Sequence, residues 1–236
     1  MKKIIAIILA RGGSKGIPKK NIIDFCGKPL IGWSILQAIK TKGISDVWVS
    51  SDSKEILNIA KKFGAKQIIR PKKLATSKVS GEEAYIHAIK YIQKKFYEPD
   101  LIVAIQATSP IRESKDIELA LEQFNQNNYD SLFSCCLAED LFLWKKNKNN
   151  FSSVNYDYRK RPRRQDFKNY FIENGSFYIF RPNLISKGKN RIGGKIGIHI
   201  MESWKLFEID EVSDLKFCEM IMKNYLLKNR KNELVR

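Results

Sequence analysis

Six apolar residues in a row, Ile4 to Leu9, follow two lysines near the start of the chain. A short, continuous, β-branched run of this kind predicts a strand buried on both faces. The period then changes. In PLIGWSILQAIKTKG, residues Leu30, Trp33, Ile35, Leu36 and Ile39 form an apolar stripe at helical spacing, with Gly43 as a stop. DVWVSSD predicts a second strand, and SKEILNIAKKFG a second helix, capped by Ser53 and ended by Gly64. AKQIIR, SGEEAYIHAIKYIQKKF and DLIVAIQA repeat the strand–helix–strand rhythm, and SKDIELALEQFNQN supplies a fourth helix. Such alternation implies right-handed βαβ units. The expected class is α/β, with a Rossmann-like, mostly parallel sheet and helices on both faces. Ligands of these sheets bind outside the carboxyl ends of the strands. Here those ends are the loops 11–21, 50–53, 70–81 and 106–113.

The rhythm stops after DSLFSCCLA. Residues 139–175 are polar, aromatic and basic, and they read as a small antiparallel arm inserted into a single domain, 1–236. Exposed aromatics on such an arm suggest a partner surface, most simply a second copy of the chain. Apolar alternation resumes at SFYIF and KIGIHIM. KLFEID reads as a last strand leading to an amphipathic terminal helix, VSDLKFCEMIMKNYLLKN.

The formal net charge of +18 suggests an anionic partner: nucleic acid, a membrane surface or a phosphorylated substrate. The excess is mostly lysine scattered along the whole chain, as on a solvated surface, so only local clusters are informative. The four cysteines, Cys26, Cys135, Cys136 and Cys218, contain no C-x-x-C pair. That fits a reducing compartment, the cytoplasm, better than a zinc site or a disulfide framework. No stretch reaches the roughly 18 apolar residues of a membrane span.

The sharpest chemistry lies in ILARGGSKGIPKKN, from Ile8 to Asn21. Gly12, Gly13 and Gly16 let backbone N–H groups approach an anion, and Arg11, Lys15, Lys19 and Lys20 can neutralise phosphate charge. The loop is neither G-x-x-x-x-G-K-[ST] nor G-x-G-x-x-G, so it is not a Walker A loop or a dinucleotide fingerprint. A basic surface turn is the plain alternative.

LARGGSKGIPKKN resembles the N-terminal signature of the CMP-sialic acid synthetases, the N-acylneuraminate cytidylyltransferases: A-R-x-x-S-K-G-x-x-x-K-N after the first strand. Further segments agree in order. These are SSDS at 50–53, RPKKLAT from Arg70, QATSPIR from Gln106, RPRRQD at 161–166 with ENGSFYIF at 173–180, and EID at 208–210 in place of D-I-D. The resemblance covers essentially the whole chain. It implies a fold of the nucleotide-diphospho-sugar transferase type with a dimerisation arm. The implied reaction is Mg²⁺-dependent transfer of CMP from CTP to the anomeric hydroxyl of a nine-carbon α-keto acid sugar.

The same resemblance implies roles for individual residues. Arg11, Gly12, Gly13, Ser14 and Lys15 would hold the triphosphate, and Lys20 and Asn21 would lie by the α-phosphate and nucleotide sugar. Lys20, Arg11 and Asp210 would be catalytic, with Lys20 the main neutraliser of developing charge. Arg70 and Ser80 would face cytosine and ribose. Gln106 and Ser109 would face the acceptor sugar, joined by Arg164 and Gln165 of the arm. Asp210 and Glu208 would bind magnesium. If EID ends a strand, these two carboxylates face the same side.

Departures from the family pattern are Glu208 for the usual aspartate, the absence of an acidic residue after LAT, and Ala107 for proline. His87 and His199 read as packed or solvated residues, so a histidine-based mechanism has little support. Two alternatives stay open. One is a cytidylyltransferase for another acidic sugar, such as an eight-carbon ulosonic acid. The other is a basic nucleic-acid-binding module built on YRKRPRRQD.

Overall fold

The computed structural model describes residues 2–138, 141–163, 165, 169–188 and 190–228. Among these, eleven strands and six α-helices alternate along the chain. The strands are β1 (Ile4–Leu9), β2 (Asp24–Phe25), β3 (Lys28–Pro29), β4 (Ile44–Ser51), β5 (Lys66–Ile69) and β6 (Leu101–Gln106), then β7 (Ser131–Leu137), β8 (Trp144–Asn147), β9 (Asn150–Ser153), β10 (Phe171–Phe180) and β11 (Ile196–Met201). The helices are α1 (Leu30–Lys40), α2 (Lys54–Lys62), α3 (Gly81–Lys95), α4 (Ser114–Gln126), α5 (Pro182–Gly188) and α6 (Val212–Ile221), the last continued by a π-helical turn, Met222–Leu227.

Seven strands form one sheet in the order β11-β7-β10-β6-β1-β4-β5. All neighbours pair in parallel except β10, which runs against both β6 and β7. The expected mostly parallel sheet is therefore present, with one reversed strand inside it. Because β10 is reversed, its first residue pairs with the last of β7, Phe171 opposite Leu137. The start of β10 thus lies at the edge where the parallel strands end.

β1 shows why its sequence is unbroken in apolar residues. Ile4, Ala6 and Ile8 pack on one face with Ile31, Ile35, Ile56 and Ile117, from α1, α2 and α4. Ile5 and Ile7 pack on the other face with Tyr85, Ala88 and Ile89 of α3 and Ile185 of α5. Each face takes every second residue. A third cluster, with Ile17, Phe25, Leu30, Trp33 and Ile209, seats α6 beside α1. Trp33 is core, as expected, and its indole N–H donates to the Phe25 carbonyl at 2.6 Å. Ser53 accepts from Ile56 N–H at the start of α2, and Gly64 follows that helix at φ +91°, as its cap signals predict.

Two expectations are corrected. KLFEID is not a strand: Ser203–Leu206 is a 3-10 turn and Phe207–Ile209 is irregular. The reason is Lys205, whose side chain is 1% exposed and sits among Asp116 at 2.8 Å, Glu202 at 2.8 Å and Glu113 at 3.2 Å. The turn exists to bury that ammonium, so the Leu206–Phe207 pattern does not alternate across a pleat. Second, the arm expected over 139–175 ends earlier, because Phe171–Gly175 already belongs to β10. Within the arm, β8 and β9 form an exposed hairpin, and Phe142, Trp144, Tyr156 and Tyr158 stack edge-on or tilted on one another.

Burial alone would lower the Lys205 pKa, but the charge and hydrogen bonds of Asp116 and Glu202 outweigh it and raise it. Lys205 therefore contributes stability that is present below the ordinary lysine pKa and lost as pH rises through its higher folded value. Glu202 is desolvated but held down by Lys205, so its share is lost as pH falls through its lowered folded value. Removing the ammonium strands buried carboxylate charge, so Lys205→Met is expected to cost about 3 kcal/mol of unfolding free energy. Urea denaturation at pH 7 measures this. A loss below about 1 kcal/mol would mean that the carboxylates regain water and the cluster is dispensable.

Candidate active site

The loop after β1 is folded back on itself rather than loose. Gly12 N–H donates to the Asp52 carboxylate at 2.9 Å, and the Asn21 amide donates to the Arg11 carbonyl at 3.0 Å. Ile17 is buried in the α1–α6 cluster. Gly16 lies against residue 210, where an added Cβ would collide with the Asp210 carbonyl oxygen, so only glycine allows this approach. Lys20 crosses the same gap. Its ammonium donates to the Ile209 carbonyl at 2.8 Å and pairs with the Asp210 carboxylate at 2.7 Å, its side chain 12% exposed. Asp214, at the start of α6, accepts from the N–H groups of Asp210 and Glu211, which fixes the backbone on that side.

Between these segments and the 70–81 loop lies a cleft of about 540 Å³. Its walls include Arg11, Ser14, Lys15, Lys20, Asn21, Arg70, Ser80 and Asp210. Eight of the expected site residues thus share one cavity at the carboxyl edge of the sheet. Gly12 and Gly13 do not line it. Lys19, at φ 54°, turns away to pair with Glu55 at 3.0 Å. Ser80 caps α3, accepting from Glu83 N–H at 3.3 Å.

Arg70 is the strongest signal for a ligand. It is 6% exposed and lines the cleft, yet its Nε and one terminal nitrogen are buried without a protein partner. Burial lowers its pKa, and Asp52 offsets part of that. A donor-only guanidinium left unsatisfied calls for acceptor atoms from elsewhere. Arg11, Lys15, Lys20 and Arg70 around one cavity suit a polyanion.

A smaller chamber of about 210 Å³ adjoins the cleft and shares Leu9, Asn21, Gly81 and Thr108 with it. Gln106 lines this chamber. Ser109 is buried behind it, beside the Glu208 carboxyl. Glu208 is not on the cleft wall: its carboxylate lies near Gly175 and the Gln106 amide. Desolvation and then the Asp210 charge raise its pKa. With 207–209 irregular, the alternation expected to aim Glu208 and Asp210 together does not apply. Gln165 is exposed on the arm and lines neither cavity, and Arg164 falls outside the described residues.

The profile for cytidylyltransferase matches residues 5–232. The chain belongs to the cytidylyltransferase family. It is 38% identical to N-acylneuraminate cytidylyltransferase A of Danio rerio over 213 residues, 89% of this chain and 48% of that protein. It is 31% identical to the pseudaminic acid cytidylyltransferase of Campylobacter jejuni over 224 residues, 94% of this chain and 97% of that one. The chain spans about half the length of the fish relatives it matches. A solved structure titled as CMP:2-keto-3-deoxy-manno-octonic acid synthetase complexed with CTP superposes with a TM-score of 0.72 at 20% identity, over 95% of this chain and all of that one. The shared architecture is an α/β fold around a mostly parallel sheet.

Sequence reasoning passed over Arg191, Tyr85 and Asp52. Arg191 stands alone in GKNRIGG, where neither periodicity nor a motif marks it. Asp52 was visible in SSDS, but its bond to Gly12 was not. Burial disfavours the thiolate at every cysteine, pushing Cys26, Cys135 and Cys136 up to about 11 and Cys218 up to about 12.

Because the Gly16 contact is backbone on backbone, Gly16→Ala is expected to weaken nucleoside triphosphate binding by about tenfold, a typical overpacking cost. Gly13, with open space around its Cβ position, serves as the control: Gly13→Ala stays within about twofold. Titration calorimetry compares them, and equal losses would show that the Gly16–Asp210 contact is unimportant.

Proposed function

We propose that this chain transfers CMP from CTP to the anomeric hydroxyl of a nine-carbon α-keto acid sugar, a sialic acid or a legionaminic or pseudaminic relative. The hydroxyl oxygen forms a bond to the α-phosphorus, the bond from that phosphorus to the bridging oxygen breaks, and pyrophosphate leaves with the electron pair. The hydroxyl proton passes to solvent. The curated relatives' names carry both the nucleotide and the acidic acceptor. The observation that carries the reading is the buried, unpaired Arg70 on a cleft shared with Arg11, Lys15 and Lys20.

Each residue then has a physical task. Cytosine presents two adjacent acceptors, O2 and N3, whereas uracil presents an acceptor beside a donor. The free N–H groups of Arg70 satisfy the first pattern and clash with the second. Arg11, Ser14 and Lys15 hold the phosphates. Lys20 stands between loop and carboxylate, close enough to either to share negative charge as it builds on the leaving group.

Magnesium fits the donor set. Asp210 is 66% exposed in its side chain and faces a cleft built for phosphate. No cluster of three metal-ligating side chains occurs among the described residues. Magnesium is commonly held by one or two carboxylates together with substrate phosphates. Asp210 would hold the ion, which when bound supplies charge neutralisation at the phosphates. Glu208, turned toward Gln106, belongs to the acceptor side.

The exposed arm aromatics and Gln165 are assigned to a second copy of the chain, so the working unit is a homodimer. The four free cysteines accord with a cytoplasmic setting.

The deciding measurement is pyrophosphate release from CTP with Mg²⁺, run with sialic, legionaminic and pseudaminic acids, an eight-carbon ulosonic acid, and no sugar. Release that depends on a nine-carbon acid is expected. Release with the eight-carbon acid alone, or with none, overturns the assignment. Lys20→Ala is expected to lower kcat/KM by about a hundredfold or more, as loss of a charge-stabilising donor does, while the thermal midpoint stays near that of the parent. Unchanged turnover would sink the role given to Lys20.

A further inference from the structure

The chamber beside the cleft differs from it in charge. The cleft has four cationic side chains, Arg11, Lys15, Lys20 and Arg70, whereas Arg191 is the one cation on the chamber wall among the described residues. A polyanion suits the first, and a single negative group suits the second.

Arg191 is held as a ligand-binding guanidinium should be. Its side chain is 19% exposed. Its Cζ lies over the Tyr178 ring, 4.2 Å from the centroid, and 5.7 Å from the Tyr85 ring centroid. One terminal nitrogen pairs with Glu82 at 2.9 Å. Glu173 braces the stack by accepting from the Tyr178 hydroxyl at 2.9 Å. Nε is buried with no partner. The Tyr178 ring and the Glu82 pair fix the guanidinium's direction and leave the Nε donor unused, which favours a charged acceptor over a neutral one. Gln106 lies on the same wall, and Asn21 joins the chamber to the cleft.

The geometry points to Arg191 as the residue that holds the carboxylate of the acceptor sugar. This rests on the reaction proposed above and gives that site its selectivity for acids. Neutral sugars would leave a buried donor unsatisfied, which discriminates more strongly than a lost apolar contact.

The test compares the free acid acceptor with its methyl ester, which has lost the charge and keeps the shape. In the parent enzyme the ester is expected to have a KM about 10- to 100-fold higher, the value of a charge-assisted hydrogen bond. Arg191→Gln is expected to raise the KM of the free acid by a similar factor, leave the KM for CTP unchanged, and use acid and ester equally. Arg191→Lys, which keeps the charge but not the fork, is expected to restore part of the preference for the acid. An unchanged CTP KM also shows that the variant is folded. If Arg191→Gln still prefers the acid as strongly as the parent does, the carboxylate is held elsewhere and the inference falls. If the parent releases no pyrophosphate with any acid, the proposed reaction itself falls, and this inference with it.

Discussion

The ion pair from Lys20 to Asp210 closes the site. It ties the first loop of the chain to a segment 190 residues later, and both arms of the contact are needed. Without it, the 11–21 loop would be a run of lysines repelling one another at a sheet edge. With it, one of those charges is spoken for, Gly16 is drawn against the Asp210 backbone, and the remaining cations face a cavity. The pair is formed at a boundary, with the lysine mostly covered and the aspartate mostly wet. Such a pair is worth little as a source of stability. Its value lies in leaving a carboxylate and an ammonium side by side at the wall of the cleft.

A second constraint supports the first. The segment carrying Asp210 has no strand to hold it, so its path depends on four anchors. Lys205 is buried among carboxylates from α4 and its own turn, and Asn174 of β10 donates to the Lys205 carbonyl at 3.1 Å. Ile209 N–H donates to Thr108 at 2.7 Å, and Asp214 holds the N–H groups beyond. Each anchor comes from a different element. The position of one exposed carboxylate therefore reports the packing of α4, the loop after β6, β10 and α6 together.

What could be read from the residues, and what could not, follows from these contacts. The parallel half of the sheet was legible because unbroken apolar runs and helical stripes alternate from β1 to α4. The loop after β1 was legible because glycines and lysines at fixed spacing have few other uses after a buried strand. The reversal of β10 was not, since a strand's direction leaves no mark on its own period. KLFEID misled because a lysine in an alternating run reads as solvent-facing, and here it is buried along with Ile209. Arg191 was invisible for the opposite reason: it sits in a glycine-rich stretch that resembles a plain turn. Only the stacking on Tyr178, across the sheet, gives it meaning.

The reversed strand has a consequence for how such a chain can diversify. Because β10 runs backwards, the end of β7 and the start of β10 are neighbours, and the residues between them leave and re-enter the sheet at one place. That place is the rim of the binding edge. A hairpin spliced there can lengthen, shorten or change its chemistry without moving any strand past another. The sheet then works as a fixed chassis for the cleft, while the insert is free to drift with whatever it meets.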